Sequence, residues 1–278
     1  MPELPEVETV VLQLKNKVVG KKIKKFFLDY YSSRNFKRIG KSTLSDLEGK
    51  KIDKVKRGGK NILIYIGEYI LLIHQKMSGP LVYDNFGLKK KVYLGDELQK
   101  HIHFCIFFEK YALGLYDTRV FAKVVVGKQE EVENSLKIGI DAMSDKLDGK
   151  LFHSLLLKRK MRIKPFLLDQ TNIAGVGNIY ADESLFCAGI HPETVACKLS
   201  YLQGVKLLGC IKKILQQAIK LKGSSISDYV DIEGSRGQFS LMHKVYQREG
   251  EKCVKCGSII KKIKISGRYA RFCPKCQK

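Results

Sequence analysis

Val7, Val10, Val11, Leu14 and Val18 fall at i, i+3, i+4, i+7 and i+11, so the first apolar run has the period of a helix. Pro5 fits its first turn, where a missing N–H costs nothing, and Gly20 is placed to end it. From Lys22 to about Val126 the pattern changes to short apolar runs broken by Gly, Asn and Asp. "IKKFFLDY", "KNILIYI", "EYILLIH", "HFCIFFE", "ALGLYD" and "VFAKVVV" each predict a strand. No helical period separates them, which argues for an antiparallel sandwich or barrel and against a parallel sheet.

Near residue 130 the pattern changes again, and "VENSLKIGIDAM" reads as a linker. Beyond it the spacing predicts helices over about 148–158, 161–170, 178–188 and 200–222. The last has the clearest ends: Ser200 and Gln203 make a capping box, and Gly223 is a C-terminal stop. Val205, Leu208, Ile211, Ile214, Leu215, Ala218 and Ile219 line one side of it. The following "GSSISDYVDIEGSRGQFS" is rich in Gly and Ser and is expected to be mobile rather than packed.

Composition sharpens this outline. With 278 residues, two or three domains are expected, and 44% hydrophobic residues exclude wholesale disorder. The balance of 51 Lys+Arg against 28 Asp+Glu, a net +23, points to a polyanion, either nucleic acid or an anionic membrane surface. No apolar run approaches the roughly 18–20 residues that span a bilayer, and no signal-peptide pattern opens the chain. Of the eight cysteines, Cys105, Cys187, Cys197 and Cys210 are scattered and are expected to be small buried hydrophobes with reduced thiols.

The other four are Cys253 and Cys256, then Cys273 and Cys276. Each CxxC turn aims two thiolates at one point, and four thiolates close a tetrahedron around one structural Zn²⁺. The intervening "GSIIKKIKISGRYARF" alternates and predicts a β-hairpin. From Lys252 to Lys278 there are nine Lys/Arg and no Asp/Glu. A closed zinc site does no chemistry, so this module is expected to bind phosphate backbone, with Arg268 and Arg271 on the hairpin. Upstream, Gly175 and Gly177 form a turn before a helix starting at Asn178, an arrangement that can face an anion or serve packing alone.

Several stretches together resemble the formamidopyrimidine-DNA glycosylases: "MPELPEVETV", "IHQKMSG", "AGVGNIYADESLFCAGIHP", "VYQREGEKCVKCG" and "GRYARFCPKCQ". They run in family order over nearly the whole length. The resemblance implies a multidomain α+β fold. Its parts are an N-terminal antiparallel β-sandwich with an N-terminal helix (1–130), a helical helix-two-turn-helix domain with a lesion-covering loop (131–240), and a C-terminal zinc-finger hairpin (241–278). It also implies base-excision repair: a bifunctional glycosylase and abasic-site lyase that removes 8-oxoguanine and formamidopyrimidines and then cuts the strand by β,δ-elimination.

The resemblance assigns the site residues one by one. Pro2, freed of Met1, is the amine nucleophile; Glu3 moves protons beside it, and Glu6 orients the site. Lys60 and His74 hold phosphate near the lesion, as do Asn178 and Arg268. Met77, Arg119 and Phe121 fill the space left by the extruded nucleotide. The family pattern in that plug loop is Asp-Pro-Arg-Arg-Phe-Gly. Here "DTRVFA" keeps Asp117, Arg119 and Phe121 but carries Thr118, Val120 and Ala122, which leaves the opposite-base preference open. The implied partner is double-stranded DNA with oxidised bases or abasic sites. A monomer in a bacterial cytoplasm, near the nucleoid and off the membrane, is expected. Two alternatives are an endonuclease VIII-like enzyme for oxidised pyrimidines and a non-catalytic zinc-finger DNA-binding protein.

Overall fold

The computed structural model describes residues 1–29, 35–77, 79–84, 100–226 and 229–278. Tyr30 of the first predicted strand, Ser78 of "IHQKMSG" and residues 227–228 lie outside the described residues. The chain packs as two units: residues 1–137 with 222–237, and residues 138–221 with 238–278.

In the first unit, helix α1 (Leu4–Val18) buries the predicted stripe of Val7, Val10, Val11, Leu14 and Val18, and Gly20 turns the chain out at φ +79°. Two sheets follow. One has the order β1-β7-β8-β6, built from Lys25–Leu28, Ile102–Phe107, Ala112–Tyr116 and Leu81–Asp84. The other has the order β2-β9-β5-β4-β3, built from Phe36–Arg38, Lys123–Lys128, Tyr69–His74, Asn61–Ile66 and Lys54–Gly58. The pairing is antiparallel except at β2, which runs parallel to β9. Residues from both sheets and α1 share one core. β4 is buried along its whole length because its other face is covered too: helix α2 (Gln129–Ser135) places Val132 against Leu63, Tyr65, Ile70 and Leu72. The expected linker therefore begins as a capping helix.

Residues 222–237 correct a second expectation. Far from being unpacked, this segment puts Ile232 and Tyr229 into the first unit's core. It is tied to α1 by Gln13, whose amide donates to Asp231 (2.8 Å) and accepts from the Ile232 N–H (3.2 Å). The expected boundary at 240 thus differs from the packing, because two apolar side chains among the glycines and serines find a core distant in sequence.

The second unit comprises α3 (Gly149–Leu157), α4 (Ile163–Leu168), α5 (Asn178–Ala188) and α6 (Tyr201–Lys220), a short parallel pair β10 (Ile140–Asp141) and β11 (Ile173–Ala174), and the hairpin β12 (Lys261–Ile265) and β13 (Arg268–Phe272). The α6 capping box forms as predicted, with Ser200 Oγ accepting from Gln203 N and Gln203 Oε1 from Ser200 N. α5 is buried on nearly every side and ends at Gly189 in the left-handed conformation. Cys187 on α5 and Cys210 on α6 are joined by a disulfide, which overturns the expectation of two separate reduced thiols; helix packing brings them together across 23 residues. Cys105 and Cys197 are free. Among the described residues no helix is long and apolar enough to cross a membrane.

Candidate active site

At the N-terminus of α1, Glu3 is the N-cap residue and its N–H donates to Glu6 Oε2 (2.8 Å). The other oxygen of Glu6 accepts from Ser224 N (2.7 Å), and its backbone carbonyl accepts from Tyr229 Oη (3.2 Å). Glu6 is 2% exposed, so these donors replace the water its charge would otherwise need. The same contact dictates Gly223: it sits at φ +81°, and a Cβ there would lie 2.5 Å from Glu6 Oε1. Pro2 is buried beside this network, and Glu3 is 3% exposed. Glu6 therefore acts as a tie between the helix start and the 222–237 segment. That role was not legible from one helix turn of sequence.

Sheet register gathers the remaining first-unit residues at the same end. Ile62 pairs with Ile73, so the β3–β4 turn carrying Lys60 lies beside the end of β5 at His74. His74 pairs with Lys123, so the chain leaving β5 toward Met77 runs beside the chain that enters β9 from Phe121. Arg57 fixes the β3–β4 turn to α1, with Nε donating to Glu8 (2.6 Å) and Nη1 to the Gly59 carbonyl (3.1 Å).

Burial, helped by the charges of Lys76 and Lys60, pushes the His74 imidazole down to about 4. Its Nδ1 accepts from Lys76 N (3.0 Å), so the single ring proton of the neutral form sits on Nε2. His74 is thus a neutral donor beside the cationic Lys60, a pairing suited to a phosphate oxygen.

The plug residues stand out from the fold: Met77 is 48% and Phe121 51% exposed, and Arg119 is exposed as well. The loop carrying Arg119 and Phe121 is nonetheless held by a set of hydrogen bonds. Asp117, almost fully buried, accepts from Ala122 N (2.6 Å) and Arg119 N (3.3 Å), and its own N–H donates to the His101 carbonyl (2.8 Å). The Asn35 amide donates to the Val120 carbonyl. Val120 itself takes φ +52°, an unfavourable setting for a β-branched residue that this clamp imposes. Behind the loop, the buried His103 pairs with the half-buried Asp29.

In the second unit Asn178 opens α5, as expected. Sequence reasoning missed Gln170, which holds the glycine turn: its Nε2 donates to the Leu168 and Val176 carbonyls (2.9 Å each), and its Oε1 accepts from Gly175 N (2.9 Å). It also missed the latch that positions the Arg268 hairpin. Lys164 on α4 is fully buried and donates to Asp182 Oδ1 and to the Tyr269 carbonyl, 2.6 Å each. Asp182 Oδ2 accepts from Arg271 N (3.0 Å), so the ion pair ties β13 to α5. Asp182 lies four residues beyond Asn178, on the same helix face. Burial raises its carboxyl to about 7 against the opposing pull of Lys164. The neighbouring Glu183 accepts from the N–H groups of Lys244, Val245 and Tyr246, fixing the chain that leads into the finger.

Lys164→Met is expected to cost about 3–5 kcal/mol in denaturant unfolding of the second unit, because Asp182 is left buried without its cation and must take up a proton to stay there. Lys164→Met with Asp182→Leu is expected to recover most of the loss. Equal losses in the two variants would mean that packing, not charge, sets the effect.

Four sulfurs, of Cys253, Cys256, Cys273 and Cys276, lie within 4.8 Å of one another. A ZnS₄ tetrahedron with 2.3 Å bonds has edges of about 3.8 Å. The Cys253–Cys276 (3.9 Å) and Cys256–Cys273 (3.4 Å) spacings fit it. Lys255 N and Cys276 N point at sulfurs from 3.4 Å, the N–H···S bonds that favour thiolate. The β12–β13 hairpin joins the two knuckles through a two-residue turn with Ser266 and Gly267 both at positive φ, and Arg268 follows it, exposed. Zinc is the cofactor this cluster fits.

Residues 1–124 match the family model described as the formamidopyrimidine-DNA glycosylase N-terminal domain, residues 138–230 its H2TH domain, and residues 250–278 the zinc finger found in FPG and IleRS. The formamidopyrimidine-DNA glycosylases of Solibacter usitatus and Lactococcus lactis are each 40% identical, over all of this chain and 100% and 99% of their own lengths. Among solved structures, a complex of a Lactococcus lactis FPG mutant with Fapy-dG-containing DNA has a TM-score of 0.88 at 37% identity, covering both chains fully. A complex of MutM with DNA containing carbocyclic 8-oxo-G, also covering both chains fully, has a TM-score of 0.87 at 37% identity.

Proposed function

The chain belongs to the formamidopyrimidine-DNA glycosylase family, and from that premise we propose that it excises oxidised purines from double-stranded DNA and then cleaves the strand as an abasic-site lyase. The observation that carries this reading is the start of α1, where Pro2, Glu3 and a fully engaged Glu6 share one buried corner. Similar proteins have been captured on Fapy-dG, 8-oxo-G and abasic-site DNA, which supports the same substrate class here.

The chemistry requires Met1 to be removed, since only then is the Pro2 nitrogen an amine. A secondary amine is a nucleophile when neutral, and α-amino groups titrate near pH ~8, so a usable share is free at neutral pH. The amine attacks C1′ and the C1′–N bond to the damaged base breaks, with Glu3 placed to move protons to the sugar oxygen and the leaving base. The sugar ring opens to a protonated Schiff base. Its positive charge acidifies the C2′ proton, and loss of that proton expels the 3′ phosphate; the 5′ phosphate leaves in a second elimination.

Lys60 and His74 from the first unit and Asn178 and Arg268 from the second serve as phosphate contacts. Extrusion of a nucleotide costs a few kcal/mol, which these contacts and the Met77, Arg119 and Phe121 plug must offset.

Single-turnover release from duplexes with 8-oxoguanine opposite cytosine is expected to exceed release from thymine glycol duplexes. The reverse preference would instead support the endonuclease VIII-like activity.

A further inference from the structure

We propose that Cys187 and Cys210 form a reversible thiol-oxidation site whose closure staples α5 to α6, the helix pair that presents Asn178. The proposal deepens the DNA-binding reading above only through Asn178; the oxidation itself does not depend on it.

The two residues come from different parts of the sequence. Cys187 sits in the last turn of α5 and Cys210 in the middle of α6, with Cα atoms 5.9 Å apart, inside the range a disulfide spans without backbone movement. Their environments differ in a useful way. Cys187 is half-buried, whereas Cys210 is buried on the apolar face of α6 with Leu207 and Ile211. The outer thiol is reachable by a small reagent and the inner one is placed to resolve the product.

Competing thiols are poor alternatives. Cys105 is buried in β7 and its thiol is pushed up to about 12 by that burial. Cys197 has no disulfide partner, and the four finger cysteines fit a zinc ion.

The oxidant is a low-molecular-weight disulfide, RSSR. The Cys187 thiolate attacks one sulfur, forming a mixed disulfide and releasing RS⁻, which takes a proton. The Cys210 thiolate then attacks Cys187 Sγ and releases the second RSH. Two protein thiols and one RSSR give one protein disulfide and two RSH, with two electrons passed to RSSR. In a reducing compartment the reaction runs backward, so the bond reports redox state rather than being permanent.

Closure matters because of what α5 carries. Asn178 opens the helix about 14 Å from Cys187 along its axis. Phe186, next to Cys187, packs with Val245, Ile260, Cys253 and Cys273 in the finger's core. One covalent bond therefore ties α6 to the helix that bears the phosphate contact and to the zinc knuckles. Conditions that oxidise guanine would also close the staple.

The test uses the full-length, zinc-loaded protein equilibrated with glutathione disulfide or with reduced glutathione. Peptide mapping after alkylation is expected to find a Cys187–Cys210 bond only in the oxidised sample, reversed by reductant. The oxidised form is expected to unfold roughly 5–10 °C higher. Cys210→Ser and Cys187→Ser should each abolish that shift while the reduced proteins keep wild-type trapping on abasic DNA. Free thiols at both positions after oxidation, a crosslink mapped to the finger cysteines, or a bond with no thermal shift would each overturn the proposal. A protein that forms the staple but never traps abasic DNA would contradict the proposed lyase function and leave the staple standing.

Discussion

Pro2→Gly is expected to lower the rate of borohydride-trapped adduct formation on abasic-site DNA by at least about 100-fold, or roughly 2.7 kcal/mol of transition-state stabilisation. DNA affinity is expected to change less than about threefold, because every phosphate contact assigned above lies elsewhere in the chain. The reasoning rests on the nitrogen. A glycine N-terminus is still an amine, but it lacks the ring that fixes its direction and is no longer held by the packing that buries Pro2 at the helix start. A companion form that retains Met1 is expected to trap nothing above background, since its Pro2 nitrogen is an amide. Intact mass identifies which form is in hand. Parallel loss of binding and trapping in Pro2→Gly would make Pro2 a structural residue. An adduct mapped to a lysine such as Lys60 would move the nucleophile altogether.

Local patterns in this chain were legible and distant pairings were not. The α1 stripe, the α6 capping box, the hairpin between the two CxxC knuckles and the helix start at Asn178 all depend on residues within a few positions of one another. Period and capping chemistry suffice for these. β2, β3 and β6 escaped because they are short or partly polar, with half or more of each exposed or only part-buried. The packing of 222–237 escaped for a different reason: Ser224 and Ile232 are ordinary loop residues until Glu6 and Gln13, more than 200 positions earlier, supply their partners. The Lys164–Asp182 latch and the Cys187–Cys210 bond share that character. Among the candidate site residues, type and motif pointed to Pro2, Glu3 and the four cysteines, whereas the part played by Glu6 needed the fold.

Removing zinc is the other large perturbation. The finger's own core is small, with Val245, Cys253, Ile260 and Cys273 packed on Phe186 of α5, and two of these five are themselves ligands. So small an apolar cluster cannot hold a hairpin and two knuckles without a further constraint. Structural zinc contributes on the order of 10 kcal/mol to such modules at neutral pH. Cys273→Ser removes a fully buried ligand that also accepts N–H···S from Cys276, so the tetrahedron and one knuckle fail together. Bound zinc, expected at one per chain, is predicted to fall to near zero by metal analysis. DNA affinity is expected to drop about tenfold or more, with a shallower salt dependence, because Arg268 and its basic neighbours are no longer presented as a surface. The first unit holds none of the ligands and has its own core, so its thermal transition is expected to persist. Chelation of the unmutated protein should reproduce both effects, and added Zn²⁺ should reverse them. Full zinc occupancy in Cys273→Ser, or undiminished affinity in the metal-free protein, would mean that the finger neither needs the metal nor contributes to DNA binding.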